Sequence, residues 1–136
     1  MTSRNHLRHG MGTVRPYLYG PASLPEWVID TFAGEELERV EGERGDHVEI
    51  AIGDSVVVIE AGDPPPGATQ GSVYIYVPDV DAAYYRALNA GAISIAAPEN
   101  KSYEERGAGV KDSFGNTWWI ATYTGARPPV EHLVGE

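Results

Sequence analysis

The chain of 136 residues is 42% hydrophobic and 22% charged, which provides enough apolar surface for one compact domain and excludes a disordered chain. Its 20 acidic and 10 basic residues give a net charge of -10. This charge argues against a nucleic-acid partner, because binding a phosphate backbone requires a basic surface. The sequence contains no cysteine, which excludes disulfides, thiolate nucleophiles and cysteine-based metal sites.

The acidic residues are concentrated between residues 26 and 63, where the basic residues are Arg39 and Arg44. Such a surface either keeps the protein soluble or attracts a cationic ligand, and the sequence leaves both readings open. No run of about 20 apolar residues is present, and the first residues lack the apolar centre of a secretory signal. We therefore expect a cytoplasmic protein with no membrane partner.

The first half of the chain reads as one β-α-β-β-β unit. Residues 1–13 have no hydrophobic period and are predicted to form a flexible tail. Ser23 and Glu26 form a capping box with Pro25 in the first turn, so a helix should start there and continue through Phe32. The predicted strands of this first module, residues 14–61, lie at 14–20, 36–42, 47–52 and 55–61.

The second half repeats this order after a linker. Residues 62–70, GDPPPGATQ, cannot continue a central strand because proline lacks a backbone donor. A helix is predicted from Val80 to Ala90, capped by Asp79 or Asp81. The second module is predicted at residues 71–124, with strands at 72–78, 93–98, 106–112 and 117–123, and a tail follows at 125–136.

The repeat is visible in the residues themselves. Residues 16–21 match residues 73–78 at an offset of 57, and residues 53–58 match residues 115–120 at an offset of 62. A module of one helix and a four-stranded sheet cannot bury both faces of its sheet alone. We therefore predict an α+β fold in which tandem βαβββ modules form a curved mixed sheet. The sheet should form a cup that is completed in a homodimer, with the modules paired within one chain or swapped between chains.

Two segments carry a family resemblance. One is Tyr103–Ile120, with the core D-x-F-G-N-x-W at Asp112–Trp118, and the other is Val77–Ala83 at the start of the second helix. They resemble the vicinal oxygen chelate superfamily, which includes glyoxalase I, extradiol dioxygenases, fosfomycin-resistance enzymes and bleomycin-resistance binding proteins. The resemblance covers residues 14–124 and implies the paired-module fold, but it implies no single activity because the superfamily contains several reaction types and pure binding proteins.

In the metal-dependent members of this superfamily, each module supplies one metal ligand from its first strand and one from its last. The matching positions in this sequence are Arg15, Val57, Ser72 and Trp119. None of them offers the imidazole or carboxylate that a divalent metal needs, and the charge of Arg15 would repel a cation. We therefore expect no metal and no other cofactor, although a register error of one or two residues would bring in Glu60.

Strand alternation places aromatic side chains on the same side as these four positions. Tyr17, Tyr19, Tyr74 and Tyr76 should face the cup, whereas the opposite parity, which includes Val58, is aliphatic and should pack beneath the helices. Tyrosine and tryptophan bury a large area and still offer a hydrogen bond, which is typical of a ligand-binding surface. The alternative is that the tyrosines fill a dimer core across strands.

His47 and Glu49 lie two residues apart on a predicted strand and should also face the cup. They are interpreted as a base with an orienting carboxylate, as ligands of a displaced metal site, or as ordinary residues at an exposed sheet edge. Arg15 either anchors an anionic or carbonyl group of a ligand or extends to solvent. The predicted ligand-binding residues are Arg15, Tyr17, Tyr19, His47, Glu49, Val57, Ser72, Tyr74, Tyr76 and Trp119.

These features predict a dimeric, non-catalytic protein that holds a flat aromatic or peptide-type antibiotic between aromatic side chains and gives resistance by sequestration. One alternative is a metal-dependent lyase, isomerase or dioxygenase of the glyoxalase type, with its metal at His47, Glu49 and Glu60. A second alternative is a dimeric domain that has no small ligand.

Overall fold

The computed structural model describes residues 6–125, in which two α-helices and eight strands follow a short 3₁₀ helix at Arg8–Gly10. The first module contains β1 (Tyr17–Gly20), α1 (Leu24–Phe32), β2 (Glu35–Glu41), β3 (Gly45–Ile52) and β4 (Ser55–Gly62). The second module contains β5 (Ser72–Tyr76), α2 (Val80–Asn89), β6 (Ile93–Lys101), β7 (Glu105–Lys111) and β8 (Thr117–Tyr123). The predicted tails fall partly outside the described residues, at 1–5 and 126–136.

Both modules have the same strand order. The first sheet runs β1-β4-β3-β2 and the second runs β5-β8-β7-β6. In each sheet the first strand of the module pairs in parallel with the last, and the other neighbours are antiparallel. Within residues 6–125 neither sheet closes into a barrel. The predicted α+β fold of two βαβββ modules is confirmed, and the dimer stays a prediction.

The two helices begin differently. Asp79 accepts a hydrogen bond from the Ala82 backbone N–H at 3.1 Å and caps α2, which confirms one of the two predicted caps. Ser23 makes no side-chain capping bond to α1, because its φ of -82° and ψ of -10° are helical and not extended. The predicted capping box is therefore wrong, although the helix forms. In the described part of the chain, neither helix has the length and apolar character needed to cross a membrane.

One hydrophobic core joins the two modules. Trp118 of β8 is fully buried, and its ring lies 5.0 Å from that of Phe32 and 5.7 Å from that of Trp27, both on α1. The indole N–H of Trp27 donates to the carbonyl of Ala87 on α2 at 3.2 Å. Side chains from both helices and both sheets belong to this core. The modules are thus packed together within one chain, each through the helix side of its sheet.

The motif that carries the family resemblance forms a structural joint. The buried carboxylate of Asp112 accepts the backbone N–H groups of Phe114 and Asn116, both at 3.0 Å, and the indole N–H of Trp118 at 2.9 Å. Asn116 donates from its amide to the carbonyl of Tyr19 at 2.9 Å. This last bond runs from the second module to β1 of the first, so the motif fixes the strand that carries Tyr19.

Candidate functional site

Each sheet has one face packed on the common core and an opposite face, which we call the open face. On the first sheet the register pairs Tyr17 with Val58, and it pairs Tyr19 with Glu60, which in turn pairs with His47. Directly paired residues point to the same side of a sheet. The structure therefore places both tyrosines on one open face together with a carboxylate and an imidazole.

The open face of the second sheet carries Tyr74, Tyr76 and Trp119. Tyr74 pairs with Trp119 in the register, and Ser72 at the start of β5 lies on the same face and is exposed. A Cβ atom at Gly109 would lie 2.5 Å from the Trp119 ring, so the glycine lets this indole lie across β7. Trp119 remains 38% exposed and Tyr76 60% exposed, which makes this face an accessible aromatic surface.

Val57 does not share a face with the tyrosines. In the register it is Val58 that pairs with Tyr17, just as Trp119 pairs with Tyr74. Val57 instead belongs to the buried core on the helix side. The predicted placement of Val57 on the ligand face is therefore wrong by one residue, and a shift of one residue transfers a side chain to the other side of a strand.

In the first module a carboxylate holds Tyr17, and Tyr19 packs against its ring. The hydroxyl of Tyr17 donates to Glu60 Oε2 at 2.6 Å, and the rings of Tyr17 and Tyr19 meet edge to face at 5.7 Å. The hydrogen bond to Glu60, together with partial burial, raises the pKa of the Tyr17 phenol to about 12. Tyr17 is therefore a fixed, protonated hydrogen-bond donor at neutral pH.

The second module repeats this arrangement with a different acid. Tyr74 and Tyr76 both donate their hydroxyls to Glu105 of β7, one to each carboxylate oxygen, and their rings lie 5.6 Å apart. Glu105 is buried. Its hydrogen bonds raise the pKa of both phenols, with a smaller contribution from burial. One buried carboxylate thus fixes two exposed rings.

His47 lies between two carboxylates. Its Nδ1 is 2.6 Å from Glu60 Oε2, and its Nε2 is 3.0 Å from Glu49 Oε2. The hydrogen bonds with Glu49 and Glu60 raise the pKa of the imidazole above its ordinary value. Burial alone would raise the pKa of Glu49, but the bond with His47 and the charge of Arg15 outweigh burial and lower it. The two carboxylates thus favour the charged form of the imidazole between them.

Arg15 binds backbone carbonyls of the segment just before it. Its Nε donates to Gly12 O at 2.9 Å, and its Nη2 donates to Met11 O at 3.0 Å and to Arg8 O at 2.5 Å. Its Nη1 contacts Glu49 Oε1 at 3.3 Å. Residues 8–12, which we call the strap, are thereby held against the first module.

The two aromatic faces line different cavities. Tyr17 and Tyr19 line a hollow of about 230 Å³ formed by first-module residues with Asp63 and Pro65 of the linker. Tyr74 and Tyr76 border an apolar groove of about 460 Å³ between the modules, with Phe32 and Trp118 among its other walls. The described chain therefore presents two aromatic surfaces, and these two cavities do not unite them.

Sequence reasoning missed two acids at the site. Glu105 follows a predicted loop, and no pattern in the neighbouring residues marks it as a functional residue. Its role depends on the register that sets β7 beside β8. Glu38 lies in an acidic run, and the register pairs it with Glu49 on the open face. Glu60 was recognised only as a residue that a register error would bring in and as a ligand of the displaced metal site. All three became identifiable once the strand pairing was known.

The metal centre of the superfamily does not fit the residues at the matching positions. Arg15 contacts Glu49, Val57 is in the core, and neither Ser72 nor Trp119 offers a strong ligand. The ligands of the glyoxalase-type alternative would be His47, Glu49 and Glu60. In the structure Glu49 and Glu60 contact opposite nitrogens of His47, so an ion bound to one nitrogen would not reach both acids in this arrangement.

Among residues 6–125, a different group brings three donors together. Ligating atoms of His9, Glu38 and Glu49 lie within 4.8 Å of one another. Arg8 contacts Glu38 at 2.8 Å and Arg15 contacts Glu49 at 3.3 Å, so two guanidinium groups already compensate these carboxylates. A cation would have to compete with both arginines.

Solved structures identify the class of fold. TioX from Micromonospora sp. ML1 superposes with a TM-score of 0.68 at 22% identity, over 83% of this chain and 98% of that chain. TnmS3, an antibiotic binding protein from Streptomyces sp. CB03234, gives 0.57 at 24% identity, over 82% and 96%. Lactoylglutathione lyase from Agrobacterium tumefaciens gives 0.61 at 15% identity, over 82% and 92%. The chain has the fold of the vicinal oxygen chelate superfamily, as its sequence resemblance predicts.

Sequence relatives define the family more narrowly. The uncharacterised protein Mb0911c of Mycobacterium bovis is 31% identical over 110 residues, which cover 71% of this chain and 72% of that protein. The uncharacterised protein Rv0887c of Mycobacterium tuberculosis is also 31% identical, and the match covers 65% of its length. No protein-family model matches the chain. The chain belongs to the same family as these mycobacterial proteins.

Proposed function

We propose that the protein binds a flat aromatic or peptide-type small molecule, such as an antibiotic, on its open faces and sequesters it without chemical turnover. The observation that carries this proposal is the exposed aromatic surface of Tyr74, Tyr76 and Trp119, whose two phenols are fixed by one buried acid. Exposed rings held in place lose little conformational entropy when a ligand stacks on them.

The chemistry of the surface favours binding over catalysis. The phenols have raised pKa values and stay protonated near neutral pH, so they are not bases. Each donates its only hydroxyl proton to Glu60 or Glu105, which leaves its oxygen as an acceptor for a hydrogen bond from the ligand. The net charge of -10, with Glu49 and Glu60 on the first open face, favours a ligand that carries positive charge. TnmS3 is an antibiotic binding protein of the same fold, which supports the proposal.

We also propose that a second copy of the chain completes each binding site. Burying an aromatic surface this exposed is favourable in free energy. A dimer would bring an open face of one copy opposite an open face of the other. A flat ligand would then have rings on both sides. This arrangement would make one cup from surfaces that line different cavities in a single chain.

The test uses tryptophan fluorescence, because Trp119 is 38% exposed whereas Trp27 and Trp118 are buried. Flat aromatic cations, and anions with the same ring system, are titrated into the full chain. Stacking contributes about 1–3 kcal/mol per ring, so two rings with one charged contact give micromolar affinity. We expect the cations to quench Trp119 and Tyr74→Ala to weaken binding about tenfold or more.

A matched control is Tyr85→Ala, which removes an equally exposed ring from α2, away from the open faces. This variant should bind as the wild type does. The proposal is wrong if no compound quenches Trp119, or if Tyr74→Ala and Tyr85→Ala bind with the same affinity. The first of these results would favour a dimeric domain that has no small ligand.

A glyoxalase-type enzyme with a displaced metal is the second candidate. The grouping of His9, Glu38 and Glu49 is the observation that favours it, and the two arginines that contact the acids oppose it. Elemental analysis of protein purified without chelator decides between the two. Stoichiometric zinc, nickel, manganese or iron that is lost in Glu49→Gln would support the enzyme over the binding protein.

A further inference from the structure

The strap lies across the open face of the first module. Glu49 points to that face, yet it is only 6% exposed, because His9 and Arg15 cover it. Val56 lies on the same face, since it pairs with Ala51 two positions along from Glu49, and it is fully buried beneath Gly12. The strap therefore occupies part of the surface that the proposed function assigns to a ligand.

The side chains of Arg8 and His9 hold one end of the strap. Arg8 Nη1 donates to both oxygens of Glu38, at 2.8 and 2.9 Å. His9 Nε2 lies 3.2 Å from Glu38 and 3.2 Å from Glu49. These contacts connect segments about 30 residues apart in sequence, so they hold the strap on the sheet and not merely in a local turn.

The backbone of the strap fits closely at its other end. Gly12 has a φ of +77°, and a Cβ atom there would lie 2.8 Å from Val56 Cγ2. Only glycine suits this position, on grounds of both backbone conformation and space. Three strap carbonyls meanwhile accept hydrogen bonds from the guanidinium of Arg15. The first module thus binds the strap as it would bind a short peptide. Arg15 contacts the strap carbonyls, Glu38 and Glu49 contact the strap side chains, and Val56 packs against Gly12.

We propose that the strap is an internal occupant of the first module's ligand site, and that the ligand of this site is a peptide-like molecule with cationic groups that displaces the strap. This inference rests on the proposed function and adds the chemical class of the ligand. Such a ligand would offer carbonyls to Arg15 and positive charge to Glu38 and Glu49. The strap would lower the apparent affinity by the fraction of molecules in which it is closed.

The strap is suited to release because its charged contacts lie near solvent. The side chain of Arg8 is 61% exposed, and exposed ion pairs contribute little to stability. A ligand that makes the same contacts with more of its own surface can therefore replace it. Glu38 and Glu49 remain on the sheet when the strap leaves. Arg15 adjoins Pro16, whose carbonyl accepts the Val58 N–H of β4 at 2.9 Å, so the site keeps its binding groups.

The experiment uses the full chain and a synthetic peptide of residues 7–13, which contains the strap, labelled with fluorescein. Gly12→Val should lift the strap by its contact with Val56 and removes no charged group. We expect this variant to bind the peptide about tenfold or more tightly than wild type, measured by fluorescence anisotropy. Gly67→Val is the matched control, because Gly67 also has a positive φ, of +86°, but a Cβ atom there meets nothing within 4 Å.

A second variant, Arg8→Ala with His9→Ala, releases the other end of the strap through exposed or half-exposed side chains and keeps the test valid if Gly12→Val fails to fold. Adding Glu49→Gln to it should abolish the gain, and a peptide with glutamine in place of arginine and histidine should not bind. Equal peptide affinity in wild type and both strap variants, or no binding to any of them, overturns the inference. Quenching of Trp119 by aromatic cations reports the second module, so its loss with peptide binding retained would overturn the proposed function alone.

Discussion

Replacing Asn116 with alanine should weaken the joint between the two modules. The side chain is fully buried, and its amide bridges Gly71, whose N–H it accepts at 2.8 Å, and Tyr19, to whose carbonyl it donates at 2.9 Å. Alanine leaves both part-buried backbone groups without this partner. It also removes the amide contact with Asp112 at 2.9 Å.

The expected magnitude follows from those two backbone groups. Each buried polar group that loses its partner costs about 1–3 kcal/mol, so the substitution should lower the free energy of unfolding by about 3 kcal/mol. A typical domain has a total of about 5–15 kcal/mol, so the loss is a substantial share. The midpoint of thermal unfolding should fall by about 10 °C for a chain of this size.

Urea unfolding followed by tryptophan fluorescence measures the loss, and Ser113→Ala, at an exposed position of the same loop, is the control with little expected effect. Hydrogen exchange should become faster at residues 17–20, because the bond from Asn116 holds β1 through Tyr19. A loss of unfolding free energy below about 1 kcal/mol would mean that water replaces these hydrogen bonds, and it would refute the reasoning. A larger loss with unchanged exchange in β1 would refute the coupling between the modules.

Three further predictions concern charge and assembly. In an ultraviolet titration, Tyr17 should ionise with a pKa of about 12, and Glu60→Gln should bring it towards the ordinary value of 10.0; unchanged titration would contradict the assigned bond. The raised pKa of His47 stabilises the fold below about 6.5, and this contribution should disappear as pH rises through the raised value, whereas the lowered pKa of Glu49 contributes above about 4.5 and is lost on acidification. Unfolding free energy measured against pH should therefore fall less on the alkaline side in His47→Gln, and identical profiles would rule this out. Light scattering should give twice 14.7 kDa for the wild type and a single-chain mass for Trp119→Glu, and a wild-type monomer would disprove the proposed dimer.

Local patterns were sufficient where one strand or helix specifies its own structure. The tyrosine pairs at an offset of 57 residues lie on equivalent strands, β1 and β5, and both are edge strands paired in parallel with the last strand of their module. The D-x-F-G-N-x-W core predicted the fold through its resemblance to the superfamily, and in the structure its Asp112 accepts short-range hydrogen bonds from its own loop. Both signals depend on residues close together in the chain.

The strand β4 was predicted correctly, but the assignment of its two faces was wrong because its sequence has no alternation. Val56, Val57, Val58 and Ile59 are all buried, so both faces of the strand are apolar and neither can be assigned from the sequence. The repeat offset of 62 residues then placed Val57 opposite the wrong neighbour. Pairing with β1 settles the question, because Val58 and not Val57 lies beside Tyr17.

The sequence by itself determined the types and order of the elements and the duplication, because side-chain period and turn chemistry act within a few residues, and its resemblance to the superfamily implied the fold. Only the tertiary structure decided that Glu105 holds two phenols, that His47 lies between two acids, and that the strap covers Glu49. Each of these contacts joins strands or segments whose register depends on how the whole sheet packs. A one-residue change in that register reverses which side chains meet, and no local pattern records it.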